Sequence, residues 1–193
     1  MRIYIYRAEE ASEASTSRKR NENDTSGHKP DFRLKLWELG LEILFMETSR
    51  PKADVKKFVD DWWKLVRMMK DGRDRMVDEI AADVCLHDLP IFAIHIHELR
   101  LRITMEDMPY GAYYRALELE SFEIPLEPPK IADSLKDVVC KLMRLREYVN
   151  QVALCILEIN NAMGERPQDS SHNNTITPSS PSKNSIMSMS FDT

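Results

Sequence analysis

Five residues between positions 85 and 98 carry the side chains best suited to chemistry: Cys85, His87, His95, His97 and Glu98. Thiolates and neutral imidazoles are zinc ligands. On an extended chain His95 and His97 would project to one side, as a metal-binding His-x-His pair requires. Cys85 or His87 could then complete a shell. On a helix, positions two apart do not converge, and the spacing matches no zinc signature. Histidines at the surface, or satisfied inside the fold, are the better reading, so no metal is expected. Other catalytic signals are absent. The sequence has no glycine-rich phosphate loop, and its serine-rich stretches lie near the two ends. Its carboxylates are scattered over helix faces with no isolated pair in an apolar setting. The chain reads as non-enzymatic, with no cofactor.

The elements that must position these residues are best marked between Asp133 and Gly164. There Leu135, Val138, Leu142, Leu145, Val149, Val152, Ile156, Ile159 and Met163 recur at alternating steps of three and four. That is the period of a helix presenting one seam to partner helices. Ser134 with Asp137 reads as a capping box, and Gly164 followed by Pro167 as a stop. Leu135, Leu142, Val149 and Ile156 are the positions expected to make contacts. Upstream, Val55 to Met69 is amphipathic and predicts a helix ended by Asp71-Gly72. Its adjacent Trp62 and Trp63 cannot both face one core, which leaves one of them for an edge or an interface.

The remaining stretches are read against that helical frame. Pro30 opens a helix through Leu36, Leu39, Ile43 and Met46, weakened at Gly40. Met76 to Val84 resumes the period until Leu89-Pro90. From Ile91 to Ile103 a helix is preferred to a strand, because a lone strand has nothing to pair with. Met1 to Tyr6 alternates like an edge strand but lacks a partner for the same reason. Ala112 to Glu120 reads as a short helical piece. The expected fold is thus all-α: an up-down bundle of about four helices over residues 30–166. A disordered polar arm (1–29) precedes it and a disordered Ser/Asn/Pro tail (167–193) follows. The 193-residue chain has a net charge of −5, three cysteines (Cys85, Cys140, Cys155) and no long uncharged apolar run. Nucleic acid and membrane are not expected partners, and reduced thiols suit the nucleus or cytoplasm.

Several short anchors then fall in one order: Lys29-Pro30-Asp31, Trp62 or Trp63 leading to Asp71-Gly72, and Tyr113-Tyr114-Arg115. Leu145-Arg146, Ile156-Leu157 and Arg166-Pro167 complete the series. It resembles the C-terminal region of the 11S proteasome activator (REG) family. The resemblance implies a bundle that assembles as a homo-oligomeric ring on the 20S proteasome and opens its gate without ATP. Asp71, Gly72, Arg73 and Asp74 would then form the activation loop. The chain departs from the family in its charged loop, in Pro90, and in the long tail ending at Phe191-Asp192-Thr193. The alternative is an adaptor or complex subunit that binds another protein through its apolar helix faces.

Overall fold

Residues 32–49 form a β-hairpin where one helix was expected. Its turn is made by the residue that argued for a weak helix: Gly40 lies at φ +67° and its amide donates to the Leu36 carbonyl at 2.8 Å. A left-handed backbone is cheap for glycine and closes a turn, whereas glycine lowers the intrinsic propensity of a helix. The computed structural model describes residues 3–7, 10–21, 27–49, 54–80, 89–108, 113–125 and 127–164. In chain order these give β1 (Ile3–Arg7), α1 (Glu13–Asn21), β2 (Phe32–Leu36), β3 (Leu41–Ser49) and α2 (Val55–Ile80). They continue with β4 (Ile91–His97), β5 (Arg100–Asp107), β6 (Arg115–Glu123) and α3 (Pro128–Gly164).

The all-α bundle is therefore replaced by a mixed α/β fold. Its six strands lie in sequence order, β1-β2-β3-β4-β5-β6. Every neighbouring pair is antiparallel except β3 and β4, which run parallel and are joined through α2. Each strand finds a partner, because so many segments are strands. Ile91 to Ile103, preferred as helix, falls instead in β4 and β5, which pair around a two-residue turn between His97 and Arg100. Glu98 takes the left-handed conformation there, φ 53°, as tight hairpins demand. In place of the helical piece expected over Ala112 to Glu120, the chain from Arg115 to Glu123 forms the edge strand β6. The arm expected to be disordered carries β1 and α1. Residues 167–193 lie outside the described residues.

Two helical expectations stand with changed limits. α2 is amphipathic as expected but runs through Asp71-Gly72 to Ile80. Gly72 packs instead of terminating: a Cβ there would lie 3.2 Å from the Glu42 carbonyl oxygen and from the Phe45 ring. The missing side chain lets α2 press onto β3. α3 is one unbroken helix, and it starts at Pro128, upstream of the supposed cap at Ser134. Proline is favoured in a first turn, where its missing N–H costs nothing.

Strand alternation sorts the two faces of the sheet. Phe45, Ala93 and His95 look toward α2, with Leu65, Met68, Met69 and Met76 buried against the sheet. Phe92, Ile103 and Met105 look the other way and line a cleft beneath α3. On α3 the heptad positions Val138, Leu145, Val149, Val152 and Ile156 are buried, so the seam meets a sheet and not other helices.

Candidate functional site

The face under α2 holds an unusual amount of buried charge. On β3, Glu42 is 1% exposed and accepts from Ser12 Oγ at 2.7 Å and from Arg33 Nη1 at 2.7 Å. The first-turn amides of Glu13 and Ala14 also donate to it, both at 3.2 Å. A carboxylate from the sheet thus caps the N-terminus of α1, where free amides favour negative charge. Ser12 adds the usual N-cap, with Ser15 N–H donating to its hydroxyl at 3.2 Å. Farther along, Arg18 pairs with the buried Asp71 at 2.7 Å. Arg73, fully buried, lies 3.8 Å from the Glu106 carboxyl, and burial lifts that carboxyl to about 8 against the opposing pull of Arg73.

At the C-terminal end of β3, Ser49, Asp61 and His95 meet with each residue 2% exposed. Their types suggest a nucleophile with its base and orienting acid, but the geometry is wrong for that chemistry. Ser49 Oγ donates to Asp61 Oδ2 at 2.8 Å and lies 3.2 Å from His95 Nε2. A serine hydroxyl has one proton. With that proton on Asp61, the His95 contact must run from Nε2–H to the serine oxygen. The imidazole is then a donor and not a base. In a working triad the acid holds the other ring nitrogen, and here His95 Nδ1 has no hydrogen-bond partner among the described residues.

Burial pushes His95 down to about 4, helped by Arg102 and His97 and opposed by Asp61, so the ring is neutral near pH 7. Burial also raises Asp61, but hydrogen bonds from Lys57 and Ser49 outweigh it and hold the carboxyl below its usual value. Phe58 stacks on His95 with ring centres 4.9 Å apart, Trp62 lies at 6.5 Å, and Arg102 sits over both aromatic rings. The cluster is closed to substrate and acts as a polar clamp between α2 and the sheet.

Of the five residues first considered for chemistry, Cys85 and His87 lie outside the described residues. His95 and His97 do occupy a strand and share a side, but the Phe58 ring packs edge-on to His97 at 5.0 Å as well as on His95. No grouping of three metal-ligating side chains occurs among the described residues. Asp71, Gly72, Arg73 and Asp74, the activation loop implied by the resemblance, are a turn of α2. Asp71 and Arg73 are buried there, and Asp74 accepts from Tyr114 Oη and, at 2.5 Å, from Lys70. Trp62 is half-buried against His95, while Trp63 is 46% exposed. Of the α3 positions expected to make contacts, Val149 and Ile156 are core, Leu142 is half-buried, and Leu135 is exposed.

Ser49 and Asp61 were missed. Asp61 did leave a signal: three residues after Phe58 and four before Leu65, it sits on the apolar stripe, and so does Arg73 between Met69 and Met76. Charge at a core step of an amphipathic helix points to a buried partner.

Two features of α3 face outward. At about 100° per residue, Leu135, Val139, Met143 and Leu154 fall on one flank of the buried seam, with exposures of 44, 55, 52 and 49%. On the other flank the helix stands off the sheet and leaves a cleft of about 530 Å³. No helix among the described residues is long and apolar enough to cross a membrane. No family model, curated protein or solved structure matches the chain.

Proposed function

We propose that this chain is a non-enzymatic binding subunit whose docking surface is the apolar flank of α3, and that its partner presents an amphipathic helix. The observation that carries the reading is the row Leu135, Val139, Met143 and Leu154, left about half exposed along a helix whose seam is already satisfied by the sheet. Single exposed apolar residues are ordinary, but a row at helical spacing marks a contact surface. The buried polar cluster supports the same view, because its serine is committed to a carboxylate and its imidazole is a donor. A second copy of the chain carries the same flank and is the first partner to test. The exposed, unpaired Cys140 and Cys155 suit a reducing compartment, nucleus or cytoplasm.

Proteasome gate opening is not part of this reading, since it needs a loop where α2 has a buried turn. Size-exclusion chromatography with light scattering tests the proposal. The wild type should elute as an assembly, alone or with a co-purified protein. The double substitution Val139→Glu with Met143→Glu should release it while leaving circular dichroism and thermal unfolding unchanged. A 22.5 kDa particle, identical for wild type and variant, refutes it.

A further inference from the structure

The cleft on the opposite flank of α3 has a construction of its own. Its floor is Phe92, Ile103, Met105 and Leu119, and its helical wall is Leu145 and Val152. At about 530 Å³ it falls within the range of roughly 300–1,000 Å³ that small-molecule sites occupy. Polar groups gather only at the mouth: Glu120, Lys141, Arg144, Tyr148 and Gln151. Lys141 is held by Glu120 at 3.3 Å and by Asp137 at 3.1 Å. Arg144 is exposed and has no carboxylate partner among the described residues.

We propose that this cleft binds a free, single-chain aliphatic carboxylate, its hydrocarbon lying along Phe92, Ile103 and Met105 and its carboxylate meeting the Arg144 guanidinium. The floor offers no hydrogen bond, so a chain without polar atoms loses nothing by entering. Each methylene removed from water favours binding. The head group stays at the mouth, half in water, where a guanidinium fits a carboxylate with two parallel hydrogen bonds. An uncharged chain would forgo that contact, and a cationic one would face Arg144 and Lys141.

Calorimetric titration of the full chain with monomeric hexadecanoate, below its micelle concentration, tests the proposal. Saturable one-to-one binding is expected, with hexadecanol and hexadecyltrimethylammonium at least about tenfold weaker. Arg144→Glu should weaken hexadecanoate by about tenfold and Arg144→Lys by less. Met105→Trp, which fills the floor, should abolish it. Val139→Glu, on the far flank, should leave it unchanged, which separates this site from the docking surface proposed above. Bound hexadecanoate should also slow alkylation of Cys155, which lines the cleft, and spare the rate at Cys140, which does not. Equal protection of both thiols, equal affinity for all three head groups, or no saturable binding overturns the proposal. So does a chain that sediments with anionic phospholipid vesicles while leaving monomeric hexadecanoate unbound. Should Met105→Trp fail to fold, the exposed Arg144 variants decide the matter alone.

Discussion

Replacing His95 with glutamine should remove a specific acid sensitivity from the fold. Burial holds the folded imidazole at about 4, against an ordinary value of 6.5. As pH falls, the unfolded chain therefore takes up a proton before the folded chain does. Stability contributed by the neutral ring is complete above 6.5, erodes below it, and is lost by about pH 4. Between pH 7.5 and 4.5 that linkage amounts to roughly 2.5 kcal/mol. Glutamine keeps a donor for Ser49 Oγ but does not titrate. At pH 7.5 His95→Gln should cost about 1 kcal/mol from lost stacking on Phe58. At pH 4.5 the variant should be more stable than the wild type by about 1.5 kcal/mol, the difference of those two effects. Urea unfolding at both pH values, followed by tryptophan fluorescence, measures it. Trp62, with its ring centre 6.5 Å from that of His95, reports on this spot. Titrating groups remote from His95 cancel in the comparison of variant with wild type. A difference that stays constant from pH 7.5 to 4.5 would refute a neutral, buried His95.

Further outcomes follow from packing and charge. Gly72→Ala adds helix propensity worth about 1 kcal/mol, yet its methyl would sit 3.2 Å from the Glu42 carbonyl oxygen and the Phe45 ring. Overpacking of about 1–3 kcal/mol should win, read as a lower melting temperature. Glu42→Ala takes the cap from α1 and removes one carboxylate from Arg33, which keeps Glu10 and the Ala11 carbonyl, so it should cost about 1–3 kcal/mol by urea unfolding. Glu106→Gln mimics the protonated carboxyl but does not titrate, so it should match the wild type near pH 4.5 and be the more stable of the two by roughly 3 kcal/mol at pH 7. The wild type alone loses stability as pH rises from 4.5 through about 8, seen by comparing melts at pH 5 and 8.5. Peptide hydrolysis by purified 20S particles should be unchanged by the protein, checked with fluorogenic substrates.

What the sequence made legible was whatever depends on a helical period long enough to be unambiguous. α3 repeats its apolar step for eight successive intervals, and no strand can imitate that. α2 was recognised by the same means, and only its end was misplaced. Glycine within a helix usually marks an end, and nothing local reveals that Gly72 must fit under a β3 carbonyl. The strands failed for a different reason. Leu36, Leu39, Ile43 and Met46 satisfy a three-four step by coincidence, and the alternation that governs β3 is blurred by inward-facing Glu42, Glu47 and Ser49. Polar residues in a core look like a solvent face until their partners are known. Those partners, Ser12, Lys64 and Asp61, come from other elements. A helix over Ile91 to Ile103 is preferable only where strands are rare, and the pairing of β4 with β5 removes that condition.

The single parallel joint between β3 and β4 has a kinetic consequence. It divides the sheet into two sets of three antiparallel strands, β1-β2-β3 and β4-β5-β6, that can each form from comparatively local chain. The pairing that welds them is remote in sequence and waits for α2 to span the gap. Damage at the weld, at Gly72 or beneath Asp61, should slow assembly of the molecule. Damage at the outer strands should instead hasten its coming apart.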